Sequence, residues 1–168
     1  MYRVTVSPID SKSSEASDRI HAVQVAAYSQ EALLLGVNSL PATERSSADI
    51  HLLAEFFIGA FSNGQLVGVI SHKETPSAEI EICSLAVLPT FQRRGVARLL
   101  LRRVVSTSVD KSIVVSTASA NVPALTLYHQ EGFSIFRRST AATLPLEMVH
   151  LRRDRSNHSL QPAAFGRG

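Results

Sequence analysis

A mixed α/β domain, with helices laid over a central, mostly antiparallel sheet, is the fold class this sequence predicts. Three observations predict it. Residues 55–87 hold strand-like runs separated by tight turns, the pattern of a three-stranded antiparallel meander. From Pro89 onward, helical stripes alternate with short apolar runs. The chain has 168 residues, 45% hydrophobic and 18% charged, enough for one core without staples.

The elements follow in order. Tyr2–Val6 alternates and predicts a first strand. Ser13-Ser14-Glu15 starts a helix whose stripe is Ile20, Val23, Ala27 and then Leu33–Leu35, and Gly36 interrupts it. Residues 37–54, with Pro41 and several serines, form a loop with a second short helix near Ile50, Leu52 and Leu53. Glu55–Phe61 is a strand by its aromatic and β-branched content. Ser62-Asn63-Gly64 is a hairpin turn, because Asn-Gly tolerates the positive φ a tight turn demands. Gln65–Lys73 pairs back, Glu74–Ser77 turns, and Ala78–Val87 completes the meander.

Gly95–Thr107 reads as a helix with Val96, Leu100 and Val104 on one stripe and Arg94, Arg98 and Arg102 on another. Ser112–Thr117 is a compact strand. Asn121 opens a helix that runs through Glu131 and closes at Gly132, with Phe133 placed for a C-cap contact. Strands near Ser134–Arg138 and Leu146–Leu151 finish the fold. Residues 1–153 are expected to form one domain and 154–168 a polar tail.

Composition narrows the function. Cys83 is the only cysteine, which excludes an intramolecular disulfide and a Cys-rich zinc site. The six histidines show no metal-ligand spacing, so no metal is expected. No run approaches the roughly 18 apolar residues of a membrane span, and the N-terminus lacks the apolar core of a signal peptide. A cytoplasmic location and no membrane partner are therefore expected. The net charge is +3, with arginines paired at Arg93-Arg94, Arg102-Arg103, Arg137-Arg138 and Arg152-Arg153. Such pairs serve phosphate-bearing ligands or simply a solvated face, and no nucleic-acid signature accompanies them.

The stretch that carries chemistry runs from Ile82 to Ala97. A strand feeds a short loop, and the loop feeds a helix whose first residues are basic and small. Helix N-termini present amides without intrahelical acceptors and the positive dipole end, so the corner is a ready anion site. Gly95 and Ala97 allow close approach to the backbone, while Arg93 and Arg94 add charge. The P-loop pattern G-x-x-x-x-G-K-[ST] is absent, and so is G-x-G-x-x-G.

Gln92-x-x-Gly95-x-Ala97, after a Leu-Ala-Val-x-Pro strand end, resembles motif A of the GNAT superfamily of N-acetyltransferases. Asn121-Val-Pro-Ala124-Leu125-Thr-Leu127-Tyr128, closed by Gly132-Phe133, resembles its motif B. The likeness covers about residues 2–151 and is most specific over 79–133. It implies the GNAT fold, with the sheet splayed between its fourth and fifth strands, and acetyl-CoA as co-substrate. It implies pyrophosphate on the backbone of Gln92, Arg93, Arg94, Gly95, Val96 and Ala97, and pantetheine along Leu85, Ala86 and Val87. Asn121 matches a residue that bonds pantetheine, and Tyr128 matches the frequent general acid. Glu81 matches the base of histone-type members, and Glu79 a position used in some protein N-terminal acetyltransferases. Both point to one face of their strand.

The implied reaction is direct attack by a primary amine in a ternary complex. An amide at Leu85 or Ala86 serves as the oxyanion donor, and Tyr128 protonates the leaving thiolate. The acceptor is a small-molecule or protein amine, and homodimers are common in the family. Glu31, Glu44 and Asp49 are candidates to greet a cationic amine. The alternative is a GNAT-like module that binds acyl-CoA without catalysis, as a sensor or interaction domain. Cys83, without an identifiable partner, reads as a small buried hydrophobe rather than a nucleophile.

Overall fold

The computed structural model describes residues 3–156; Tyr2 and most of the expected tail, residues 157–168, lie outside the described residues. The order is β1 (Val4–Ile9), α1 (Ser14–Leu35), a 3-10 turn (Pro41–Glu44), α2 (Ser47–Leu52), β2 (Phe56–Ser62), β3 (Gln65–Glu74) and β4 (Ile80–Val87). A second 3-10 turn (Pro89–Phe91) leads to α3 (Val96–Thr107), β5 (Ile113–Ala118), α4 (Val122–Gln130), β6 (Ser134–Thr140) and β7 (Glu147–Arg153). Each element the sequence predicts is present, with ends moved by a few residues.

Local chemistry sets several ends. Ser13 caps α1 by accepting from the Ala16 amide at 3.4 Å, and Gly36 ends it in the left-handed region at φ +69°. Ser46 and Asp49 form a reciprocal capping box that lets six residues hold α2. Asn121 caps α4 through its Oδ1, which accepts from the Ala124 amide at 3.2 Å.

The seven strands form one sheet in the order β1-β2-β3-β4-β5-β7-β6. All neighbours are antiparallel except β4 and β5. That parallel pair touches only at Ile80↔Ile113 and Glu81↔Val114, so the strands part just after Glu81. Cys83 is one extra residue on β4: Ser84 pairs with Ser71, but Ile82 pairs with His72. A bulge of this kind reverses which face the following side chains occupy.

Two cores flank the sheet. On one side Ile20, Val23, Ala27 and Tyr28 of α1 and Ile50 of α2 pack on Phe57, Leu66, Val69 and Ala86. On the other, Val96, Leu100, Leu101 and Val104 of α3, with Tyr128 of α4 and Phe133, pack on strand residues including Ile70, Ile82, Val115 and Leu151. Helix α3 lies directly on Gly68, where an added Cβ would stand 2.9 Å from Val96 Cγ1 and 3.4 Å from the Ala86 carbonyl oxygen. The arginine stripe of α3 folds back on the protein: Arg98 and Arg102 converge on Glu131 at 3.2 and 3.0 Å, and Arg98 also donates to Gln130.

Candidate active site

The corner between β4 and α3 is built from backbone. Arg93 (φ +59°) and Gly95 (φ +81°) both take the left-handed region around Arg94. Side chains other than glycine adopt that region at a cost of roughly 1–2 kcal/mol. Gly95 has no side chain to cap α3, and the intrahelical ladder begins with Leu99 N–H to Gly95 O at 3.0 Å. The amides of Val96, Ala97 and Arg98 therefore precede the ladder at the positive end of the helix dipole. The Gln92 side chain steadies the loop by donating to Val87 O at 3.3 Å. Arg94 turns its guanidinium over the Phe91 ring, 5.4 Å from its centre.

This corner opens into a cavity of about 790 Å³. Its wall includes Gln92, Arg93, Gly95, Val96, Ala97 and Arg98 at one end and Ala27, Tyr28, Glu31, Asn121 and Tyr128 at the other, with Leu85, Ala86 and Val87 between. Tyr28 and Ala86 belong to one core, while Val96 and Tyr128 belong to the other. The cavity thus passes from one face of the sheet to the other, through the gap where β4 and β5 part. Arg94 is not part of the wall.

Along the gap, β4 presents backbone. The Leu88 amide donates to Val67 O on β3 at 2.9 Å. Backbone polar groups alternate sides along a strand, so Ala86 also turns to β3, and Leu85 and Val87 turn to the gap. The Val87 carbonyl is held by Gln92, and the Leu85 amide lies beside the Tyr28 phenol. The Leu85 carbonyl and the Val87 amide then face the opening as a strand edge would. Of the two amides expected as an oxyanion donor, Ala86 turns to β3 and Leu85 turns to the gap beside Tyr28.

The far end is built from side chains. Tyr128 is 5% exposed and packs against Phe133, with ring centres 5.6 Å apart. Burial pushes its phenol pKa up, and the neighbouring Tyr28 and Glu31 push it further. Tyr28 is raised by burial and then by Glu31, while its bonds to the Leu85 amide and the Ser84 hydroxyl pull it part-way back. Ser84 is anchored in turn by Ser71 at 2.5 Å and Gln24 at 3.3 Å, all three buried. Glu31 is half-buried, and burial lifts its carboxyl above the ordinary range against the Asn121 hydrogen bond. Asn121 holds two partners: Oδ1 caps α4, and Nδ2 donates one of its two N–H groups to Glu31 Oε1 at 3.0 Å.

The other expected residues stand elsewhere. Glu79 is clamped by Arg152 at 3.0 and 3.3 Å, beneath a guanidinium that lies 4.4 Å from the Phe136 ring centre. Glu81 pairs with Lys73 at 3.3 Å. Neither lines the cavity. Glu44 bonds Ser39 at 2.9 Å and Asp49 serves the α2 cap, so of the three acidic residues expected near an amine only Glu31 reaches the site. The Cys83 thiol is pushed up to about 12 by burial and then by Glu55 and Glu81, which keeps it protonated and a poor nucleophile. Tyr28 carried no separate signal in the sequence, being one more apolar position beside Ala27 on the α1 stripe. Among the described residues no helix is long and apolar enough to cross a membrane, and no group of three or more His, Cys, Asp or Glu is placed to hold a metal ion.

Known proteins are similar to this chain in sequence and in fold. The model of the acetyltransferase (GNAT) family matches residues 25–133. The UPF0157 protein YqkA of Bacillus subtilis is 37% identical over 142 residues, 83% of this chain and 41% of that protein. The N-alpha-acetyltransferase RimI of Mycobacterium tuberculosis is 34% identical over 80 residues, 46% of this chain and 51% of that protein. The chain thus spans about half the length, 41% and 51%, of the curated relatives it matches. In fold it is similar to the ribosomal-protein-S18-alanine N-acetyltransferase of Escherichia coli, with a TM-score of 0.71 at 15% identity over 95% of this chain and 98% of that one. The paia N-acetyltransferase of Thermoplasma acidophilum, solved with coenzyme A, has a TM-score of 0.71 at 15% identity over 90% and 99%.

Proposed function

The chain belongs to the GNAT acetyltransferase family, and from that premise we propose that it transfers the acetyl group of acetyl-CoA to a primary amine by direct attack in a ternary complex. The observation that carries the reading is the continuous cavity. One wall joins the Gly95 corner, the β4 edge at Leu85 and Val87, and the buried Tyr128.

The residues fit the parts of the co-substrate. The Val96 and Ala97 amides with Arg93 suit a pyrophosphate. The Leu85 carbonyl and Val87 amide suit an amide-bearing pantetheine arm, which would add to β4 as a strand does. The acetyl group supplies the electrophilic carbonyl. Tyr128 stays a neutral donor at physiological pH, because burial raises its pKa. It donates a hydrogen bond to the departing sulfur and passes its proton as the C–S bond breaks. The amine nitrogen, now cationic, returns a proton to the phenol. Asn121 holds the start of α4 and Glu31, and its second N–H is left to bond pantetheine.

Glu81 or Glu79 as the base requires its ion pair with Lys73 or Arg152 to open first. The expectations of a single domain, a cytoplasmic location and a homodimer remain part of this reading.

Calorimetry with acetyl-CoA tests it. Micromolar binding by the wild type that is lost in a folded Gly95→Glu variant is the expected result. A folded wild type that does not bind overturns the reading, and with it the alternative of a non-catalytic acyl-CoA sensor.

A further inference from the structure

Glu31 has no structural task equal to its cost. Glu79, Glu81, Glu131 and Glu147 each have an arginine or lysine partner. Glu31, half-buried, has none among the described residues. Its single hydrogen bond, from Asn121, occupies Oε1 and leaves Oε2 without a partner. Even partial burial of a carboxylate without a cation is costly to a fold, and Oε2 stays open to the cavity. Among the described residues it is also the only carboxylate lining the cavity, whose cations, Arg93 and Arg98, stand at the opposite end. The cavity is therefore polarised, positive where an anion would lie and negative where the chain crosses the sheet. Glu31 stands one turn beyond Tyr28 on the same face of α1, across the gap from Tyr128.

We propose that Glu31 receives the acceptor amine, that Oε2 takes its proton, and that the acceptor therefore arrives as a primary alkylammonium. This rests on the acetyl-transfer reading and adds to it the base and the charge class of the substrate. The ammonium gives one proton to the Glu31 carboxylate and becomes a neutral amine. Its lone pair forms the C–N bond at the thioester carbon, and the C–S bond breaks. The sulfur takes the Tyr128 proton, and the second nitrogen proton replaces it. The proton on Glu31 leaves to solvent, so atoms and charge balance. The titratable groups that face Glu31 are Tyr28 from its own helix and Tyr128 from α4, both kept neutral by burial, with Arg45 acting on Tyr28 from beyond.

Two coenzyme A thioethers of equal size test this without knowledge of the acceptor. S-(2-aminoethyl)-CoA carries an ammonium close to the sulfur, and S-propyl-CoA carries a methyl in its place. By calorimetry at neutral pH the wild type is expected to prefer the ammonium about tenfold, the equivalent of about 1.4 kcal/mol. Glu31→Gln, which can keep the contact with Asn121, is expected to bind S-propyl-CoA unchanged and to lose the preference; Glu31→Asp keeps part of it. In the wild type alone, the preference is expected to fade as the pH falls and Glu31 becomes protonated. Equal affinity for both thioethers in the wild type, or an undiminished preference in Glu31→Gln, overturns the assignment while leaving acetyl-CoA binding intact. A wild type that binds neither thioether overturns the acetyl-CoA reading and this inference together.

Discussion

The two ends of the cavity are made by different means. At the β4–α3 corner the working groups are backbone amides, arranged by two positive-φ residues and a helix start within one continuous stretch. At the far end the working groups are Tyr28, Glu31, Asn121 and Tyr128, side chains drawn from α1 and α4, about ninety residues apart along the chain. The first end offers a fixed dipole and suits an anion at any pH. The second holds Tyr28, Glu31 and Tyr128, groups drawn out of water whose pKa values depend on one another, and so it suits proton transfer. An anchor can be written locally, whereas an acid–base site needs burial, which only packing supplies.

Changes at the two ends should therefore separate binding from chemistry. The largest expected effect is at the side-chain end. Tyr128→Phe is expected to lower kcat about 10²-fold or more, with acetyl-CoA affinity unchanged by calorimetry. A parallel loss of affinity would mean that Tyr128 serves the core alone.

At the backbone end, Gly95→Glu is expected to weaken acetyl-CoA binding at least about 100-fold, or ~2.7 kcal/mol. Nothing lies within 4 Å of the added Cβ, so the loss comes from charge and from the φ of +81°. Gly95→Ala, with the strain but no charge, is expected to lose less; an equal loss would assign the whole effect to strain.

Asn121→Ala couples the ends. Loss of the α4 cap is expected to cost about 1 kcal/mol of stability, read as a fall in Tm, and Glu31 loses its partner at the same time. A change in stability with no change in the pH profile of activity would confine Asn121 to capping.

The smallest expected effect is the stability of Glu31→Gln. Burial raises the Glu31 carboxyl in the folded state, so the folded protein binds the proton more tightly than the unfolded chain. Its contribution is most favourable below the ordinary carboxylate range and is lost as the pH rises through the raised value. Glu31→Gln should then raise Tm at neutral pH and have little effect in acid. A variant less stable at neutral pH would show that the ionised carboxylate supports the fold.

Much of this protein could be read from its sequence because the signals were local. Asn63-Gly64 set a hairpin, Gly36 ended α1 in the left-handed region, and Gln92-x-x-Gly95-x-Ala97 marked a helix start open to an anion. Each is a backbone requirement met by residues within a few positions of one another, and the structure has all three. The family likeness rested on the same local stretches. The role of Asn121 was half legible: its cap is local, but its amide reaches Glu31, 90 residues earlier.

The partners of the carboxylates were not legible. Glu79 and Glu81 alternate as a solvent-facing or catalytic pair would, yet Lys73 claims Glu81 from β3 and Arg152 claims Glu79 from β7, beyond β5. Glu31 looked like one of several acidic residues before β2, and became distinct only when α1 crossed the gap between β4 and β5. Backbone conformation is decided by near neighbours and by the few residues that tolerate unusual φ, so the sequence by itself determined the elements and the β4–α3 corner. Burial, ion pairing and the pKa shifts they produce depend on which distant side chains meet, and only the tertiary structure decided those.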